Sequence, residues 1–488
     1  MPIKNGKQFL DTLSAEREIY IEGERVKDVI SDPRFSGATK TMAHLMDIQS
    51  DPDLSEVMTY NSPTSGDKVG MTHIQPQSRD DVIARNDAIK VWMDASCGMM
   101  GRSPDYKNCI ISNYAAAKDV FKRDAFDGSQ NIQNFYEHVR ENDAVTTHVL
   151  VNPQIDRSKP AHLETSDIVA QIVKETDAGI VIRGARMVAT LCAMANELLV
   201  MPAAATWSNE TRDTSDFSFG FAIPTSTPGL KFICRPPVAH TNTPSLMDHP
   251  LSLQYDESDG MVIFDDVLVP WERVFIHRDP DFDLKVNPNS YIAHSMLMQS
   301  VVRAQAKSEF MMALAFSIAR STKIDQHIPV QVKLAEMISM TEFVRSCRIT
   351  AEHDAHKTEF GTWVGGIRPL QTWQTFFFEM YNRQCEIITT LGAGGLVAVP
   401  SFAEIAGDLK EDVEKYFQVA NADAPRRIKL MRLAYDSALS SFAGRQRLYE
   451  QYYTGDPMRT QAALFNSYDK DTHIERVWTM LDELEKRA

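Results

Sequence analysis

The residues best able to do chemistry lie in three short stretches. Arg102-Ser103-Pro104-Asp105-Tyr106 puts a guanidinium and a phenol on one irregular segment. Such a pair can hold an oxyanion, because the guanidinium keeps its charge at any pH the protein meets. An ordinary helix-stop loop has the same look. His148 sits in the β-branched run Thr146-Thr147-His148-Val149-Leu150-Val151, followed by Asn152-Pro153-Gln154-Ile155-Asp156-Arg157. An imidazole with a pKa of about 6.5 can shuttle a proton at neutral pH, although a strand histidine is also a common core residue. The third stretch, Phe264-Asp265-Asp266-Val267-Leu268-Val269-Pro270-Trp271, reads as a strand followed by a turn, the exit of a β domain.

Other motifs fail on context. Gly392-Ala393-Gly394-Gly395 resembles a dinucleotide loop, but it follows a helix and the next glycine position holds Val397. Asp279, Asp281 and Asp283 imitate a calcium loop, yet Leu284 and Ser290 occupy the positions that need glycine and glutamate. His353 and His356 are one turn apart on a predicted helix without an H-E-x-x-H motif, so no metal site is expected. No G-x-S-x-G elbow is present. Cys97, Cys109, Cys192, Cys234, Cys347 and Cys385 are scattered, which argues against both a zinc knuckle and a disulfide framework.

The elements that must position these residues fall into three zones, a helical 1–144, a β-rich 145–277 and a helical 278–488. In the first, Glu18 to Glu22 favours a strand, and Asp80 to Cys97 has helical spacing with two acids in its first turn. In the second, strands are predicted over Thr146–Val151, Phe217–Ile223 and Met261–Phe264, separated by Pro and Gly turns. In the third, Val330, Leu334, Met337, Ile338 and Val344 form one apolar stripe. A second helix runs from Leu370 to Leu391 and stops at Gly392, and a third spans Ala424 to Tyr453. The fold class expected is α+β, with helices, a β-sandwich or barrel, and an antiparallel helical bundle.

The chain has 488 residues, 43% of them apolar and 24% charged, which is globular rather than disordered composition. Its 51 Lys and Arg against 66 Asp and Glu give a net charge of −15, unsuited to a nucleic-acid partner. The first residues lack an apolar signal core and no run is long enough to span a membrane, so a cytoplasmic location is expected.

Several blocks taken in order carry a resemblance. They are Glu18-Ile19-Tyr20-Ile21-Glu22-Gly23-Glu24-Arg25-Val26, Met100-Gly101-Arg102-Ser103-Pro104-Asp105-Tyr106-Lys107, and Asn152 to Arg157. Glu175-Thr176-Asp177-Ala178-Gly179-Ile180, Gly184-Ala185-Arg186-Met187-Val188-Ala189-Thr190 and Phe442-Ala443-Gly444-Arg445-Gln446-Arg447-Leu448-Tyr449-Glu450 complete the set. The chain resembles, from about residue 5 to about residue 460, the oxygenase components of the 4-hydroxyphenylacetate 3-monooxygenase family, two-component flavin-dependent phenol hydroxylases.

The resemblance implies an acyl-CoA-dehydrogenase-like fold and a homotetramer. It also implies FAD, taken up as FADH2 from a separate NAD(P)H:flavin reductase, with a small phenol and O2 as substrates. By the same resemblance, Arg102, Tyr106 and His148 would be catalytic and would clamp the phenol oxygen together with Ser103. His148, Val149, Leu150, Gln154, Ile155, Asp156 and Arg157 would line the flavin, and Thr190 would meet its N5 edge. Gly455, Asp456 and Pro457 would touch the FAD of a neighbouring subunit. Ala204, Ala205 and Thr206 match the substrate loop, though poorly in residue type.

Two rivals share the fold. A 4-hydroxybutyryl-CoA dehydratase needs three cysteines and a histidine for its cluster, but the matching positions hold Met99, Ser103 and Val301 with only His294 kept. A halophenol or nitrophenol monooxygenase of the same two-component type would use a histidine of the third domain as its base, and His294 stands near that place.

Overall fold

The computed structural model describes residues 2–14, 16–154, 168–202, 214–239, 245–282 and 287–488. The first zone holds α1 (Gly6–Thr12), α2 (Ser36–Ser50), α3 (Ser55–Met58), α4 (Arg79–Ala95), α5 (Pro104–Ala116) and α6 (Ser129–Glu141). Local chemistry explains α4. The Asp81 N–H donates to Ser78 Oγ at the N-cap, and Asp80 and Asp81 face the positive end of the helix dipole. Val82, Ile89 and Trp92 then fall on one fully buried face, and Trp92 Nε1 donates to Leu45 O at 2.8 Å.

The strands are β1 (Glu18–Ile21), β2 (Glu24–Arg25), β3 (Thr59–Asn61), β4 (Lys68–Gly70), β5 (Thr146–Val149), β6 (Gln171–Thr176), β7 (Gly179–Thr190), β8 (Glu197–Val200), β9 (Phe219–Pro224), β10 (Leu230–Cys234), β11 (Asp259–Pro270) and β12 (Val274–His277). They form a six-stranded sheet in the order β2-β1-β10-β11-β7-β6, a four-stranded sheet in the order β12-β9-β8-β5, and the β3-β4 hairpin. The predicted strand at Glu18 is present, but it pairs in parallel with β10, Glu18 opposite Lys231 and Ile21 opposite Cys234. The large sheet therefore draws a strand from the first zone across the expected 144/145 boundary. The strand predicted over Met261–Phe264 is the middle of a twelve-residue β11. Past the predicted end at Phe264, Asp265 and Asp266 form a bulge before Val267, with Asp266 at φ 52°, and the ladder with β7 resumes beyond it.

The third zone contains α8 (Ile292–Ser321), α9 (Ile328–His353), α10 (Ile367–Gly392), α11 (Gly394–Val397), α12 (Lys410–Tyr416), α13 (Ala424–Ala438), α14 (Ser441–Tyr452), α15 (Pro457–Ser467) and α16 (Asp471–Glu485), while the short α7 (Ser252–Tyr255) precedes β11. Helices α8, α9 and α10 pack on one another, with α13 and α14 against α10. The single helix predicted from Ala424 to Tyr453 is two helices. Ser440 breaks it by capping α14, its Oγ accepting from the Ala443 N–H at 3.2 Å. Gly392 is the last residue of α10 rather than its cap, and the positive φ falls on Ala393. In the α9 stripe Leu334, Met337 and Val344 are buried, whereas Ile338 turns toward solvent. His353 ends α9 and His356 lies in a two-residue strand, so the two histidines share no helix. All six cysteines are free thiols. Among the described residues no helix is long and apolar enough to cross a membrane.

Candidate active site

Helix α5 delivers the first part of the site. Ser103 is its N-cap residue and Pro104 presets the first turn, so Arg102 and Tyr106 are held at a fixed helix start. Every residue from Pro104 to Ala115 is buried although many are polar. Two glycines allow this. Gly98 has φ +62°, and a Cβ on Gly101 would stand 2.0 Å from the Tyr449 hydroxyl, so the segment lies flush on α14.

Arg102 is buried. Its backbone N–H donates to Glu257 Oε1 at 2.5 Å, and Nη2 donates to Tyr453 O at 3.1 Å. The guanidinium carbon lies 4.1 Å from the Tyr106 ring centroid and faces the stacked Tyr449 and Tyr453 at 5.4 and 5.3 Å. Its Nη1 has no partner. Burial opposes the charge, but Tyr106, Tyr449, Tyr453 and Glu257 more than offset this and raise the pKa. Tyr106 is buried, and burial raises its phenol despite Arg102, so it remains a proton-bearing donor.

Strand β5 brings His148. Its ring centroid is 6.1 Å from that of Tyr106, tilted by 39°. A helix start and a strand more than forty residues apart thus meet at one point. The ring is half-buried, and its enclosed Nδ1 lacks a hydrogen-bond partner. Burial first, then the nearby cations Lys107 and Arg102, hold its pKa well below the usual value. The imidazole is therefore neutral and can accept a proton. Ser103 Oγ and Lys107 Nζ are likewise buried without partners. Arg102 Nη1, Lys107 Nζ and His148 Nδ1, all on side chains beside Tyr106, are unsatisfied atoms that a polar ligand would complete.

A chain of bonds ties this clamp to the end of β7. Thr190 Oγ1 donates to Asp259 Oδ1 at 2.8 Å, and Arg445 Nη2 donates to the same oxygen at 2.9 Å. Arg445 Nη1 donates to Glu257 Oε2 at 2.9 Å, and Glu257 holds the Arg102 N–H. Against the effect of burial, Arg445 and Arg235 hold the Asp259 carboxyl far below the usual range. Sequence reading missed Glu257 and Asp259, and it gave Lys107 no role although Lys107 ends a recognised block. Arg445 lay within a recognised block, but its spacing carried no sign of its partners.

The residues present suit a flavin. Leu150 and Val151 expose apolar surface beside His148, and a flavin ring needs an apolar face with a few polar groups at its rim. The Thr190 hydroxyl commits its hydrogen to Asp259 and keeps a lone pair, which fits reduced flavin, whose N5 carries a hydrogen. The Val149 side chain is buried in the core, and its carbonyl accepts from the Met201 N–H at 3.3 Å. Gln154 is exposed at the end of its described segment. Ile155, Asp156, Arg157, Ala204, Ala205 and Thr206 lie outside the described residues.

Gly455, at φ +120°, Asp456 and Pro457 form the α14–α15 turn, in which Asp456 caps α15 and the Thr454 carbonyl accepts from Gln374 Nε2 at 2.7 Å. That turn follows Tyr453, whose carbonyl holds Arg102. His294 is elsewhere. Its Nδ1 lies 2.7 Å from Gly365 O, and its ring packs on Tyr291 and His356, at 5.2 and 5.7 Å between centroids. These contacts turn it toward the 356–365 segment, and the halophenol or nitrophenol reading with His294 as base is not favoured. Met99 and Val301 are core residues, and among the described residues no cluster suited to a metal occurs.

Comparison with known proteins agrees along the whole chain. Residues 5–276 match the family model described as 4-hydroxyphenylacetate 3-hydroxylase N terminal, and residues 285–482 match the C-terminal model. The 4-hydroxyphenylacetate 3-monooxygenase oxygenase component of Thermus thermophilus is 37% identical over 98% of each chain. That of Escherichia coli is 31% identical over 98% of this chain and 91% of its own. A crystal structure of the oxygenase component of 4-hydroxyphenylacetate 3-monooxygenase, complexed with FAD and 4-hydroxyphenylacetate, superposes with a TM-score of 0.93 at 37% identity, covering 99% of both chains. An archaeal 4-hydroxybutyryl-CoA dehydratase from N. maritimus, TM-score 0.86 at 17% identity, covers 99% of this chain and 95% of its own and shares the fold alone. This chain belongs to the 4-hydroxyphenylacetate 3-hydroxylase family.

Proposed function

We propose that the protein is the oxygenase component of a two-component, FAD-dependent monooxygenase that hydroxylates a 4-hydroxyphenylacetate-like phenol ortho to its hydroxyl. One observation carries the reading: Arg102 and His148 both lie against Tyr106, and Arg102 Nη1 and His148 Nδ1 are buried without partners. The overall change balances as phenol + O2 + FADH2 → catechol + H2O + FAD. Reduced FAD, when bound, supplies the two electrons and an electrophilic oxygen atom. The protein's own residues do the rest. Arg102 and Tyr106 hold the phenol oxygen, His148 accepts its proton, and the resulting charge enriches the ortho carbon. The fully buried α5 keeps water from the site. Ser103 completes the clamp, and the para substituent points toward Ala204, Ala205 and Thr206.

Val149, Leu150, Gln154, Ile155, Asp156 and Arg157 line the flavin in this reading, with Thr190 at N5. Gly455, Asp456 and Pro457 reach FAD across a subunit boundary. The zones 1–144, 145–277 and 278–488 act as the three domains. Electrons come from a separate NAD(P)H:flavin reductase, in the cytoplasm, and the oxygenase is a homotetramer. Exposed Phe465, Trp478 and Leu484 on α15 and α16 support self-association.

Supplying chemically reduced FAD and O2 to the purified chain is expected to convert 4-hydroxyphenylacetate to its catechol. NADH alone should reduce no flavin bound to the chain. A tightly held flavin that NADH reduces without a second protein would overturn the two-component reading.

A further inference from the structure

Lys107 follows Tyr106 on α5, and only 1% of it is exposed. Its Nζ has no hydrogen-bond partner. An ammonium withdrawn from water without an acceptor is costly, and proteins normally pair it. Lys307 shows how this fold does so: it too is fully buried, but its Nζ donates to Gln446 at 2.7 Å and to Glu450 at 2.6 Å. Lys107 has no such acceptor. Its Nζ lies 4.2 Å from the Tyr106 ring centroid, the ring that Arg102 covers at 4.1 Å.

Burial, then Arg102, hold the Lys107 pKa well below the usual lysine value, against the pull of Glu257 and Asp105, and Lys107 acts in turn on His148. Neither carboxylate pairs with it. Glu257 binds the Arg102 N–H and Arg445, and Asp105 Oδ2 accepts from Gln299 at 2.6 Å. From α8, Arg303 adds positive charge near Tyr106. An anionic oxygen arriving between Arg102, Tyr106 and His148 would give Lys107 the acceptor that the protein withholds.

We propose that Lys107 is a substrate-binding residue, the second cation with Arg102 that holds the phenol oxygen as phenolate. This rests on the clamp described above. It makes Lys107 a determinant of which phenols are bound as anions, with weakly acidic phenols depending on it most. In the ligand-free protein the lysine costs stability, which ligand binding offsets.

The test uses 4-nitrophenol, whose phenolate is coloured, bound to the full chain in the presence of saturating FAD and read by difference spectroscopy. Lys107→Met is expected to raise the apparent pKa of the bound probe by about one unit and weaken phenolate binding about tenfold. The ligand-free Tm of K107M is expected to rise, because an apolar chain of similar length replaces an unpaired buried amine. An unchanged probe pKa in K107M, with a clear shift in Arg102→Met, would overturn the role of Lys107 and leave the clamp standing. A chain that loses Tm or fails to fold as K107M marks Lys107 as structural and also overturns it. If the wild-type chain does not bind the probe, or Arg102→Met has no effect either, the clamp itself falls.

Discussion

Replacing His148 by alanine is expected to lower catechol formation by about 10²–10⁴-fold while O2 consumption continues, with H2O2 released in place of product. The imidazole would act on the phenol, since its ring is turned to Tyr106 even though it also borders the flavin by resemblance. Its Nδ1 is enclosed and unpartnered, and its ring meets Tyr106 rather than the Thr190–Asp259 pair. Removing it therefore costs the activation of the ring and spares the consumption of reduced flavin. The ratio of H2O2 to catechol, measured with supplied reduced FAD, checks this directly. A His148→Ala chain that loses flavin binding but keeps its remaining turnover coupled would make the residue structural. His294→Ala is the control, and it should leave the ratio near wild type because that ring is engaged with Gly365, Tyr291 and His356.

The pH dependence follows from the same surroundings. Burial and the cations Lys107 and Arg102 favour the neutral imidazole, so the folded pKa lies well below the unfolded value of about 6.5. The working form is the neutral one. The hydroxylation rate should therefore hold steady as pH falls through 6.5, and decline only at lower pH. For stability the sign is the same: the unfolded chain binds the extra proton first, so the folded state loses ground as pH drops below about 6.5. His73 adds to this loss, since its fully buried ring, with neither nitrogen partnered, is pushed down to about 3.

Much of this was legible in the sequence wherever local chemistry decides the outcome. Helix α4 could be read from Ser78, Asp80, Asp81 and its apolar spacing, and the order of helices, strands and helices came from texture. The failures occur where distant contacts override local signals. The strand predicted to end at Phe264 runs on through a bulge at Asp265 and Asp266, because the long β7 offers a ladder on both sides of it. Apart from its short partner β2, the strand at Glu18 joins a sheet whose members begin about 150 residues later, and no local pattern could say so. In the site, Arg102, Tyr106 and His148 stood out by residue type. Glu257, Asp259 and Lys107 did not, because a buried acid or lysine in an ordinary-looking stretch gives no sign of its burial.

Beneath the clamp, breaking the ion triad of Glu450 should be the most costly single change to stability. Glu450 on α14 and Arg303 and Lys307 on α8 have fully buried side chains. The carboxylate takes both Arg303 Nη1 and Nη2 at 2.7 Å and Lys307 Nζ at 2.6 Å. Burial alone would raise the carboxyl pKa, but the two cations overcome it and hold Glu450 at about 2. Its contribution is thus complete above the unfolded value of about 4.3 and is lost as pH falls toward 2. Glu450→Ala strands two cations in the interior and is expected to cost about 3–5 kcal/mol, read as a lower urea midpoint. The loss should also reach the clamp, since Arg303 faces Tyr453 at 4.7 Å, and the Tyr453 carbonyl holds Arg102. Replacing all three partners by apolar residues of similar volume should recover most of the stability, because the penalty comes from uncompensated charge rather than from lost attraction. If Glu450→Ala unfolds at the wild-type urea midpoint, water reaches the triad and its apparent burial carries no energetic weight.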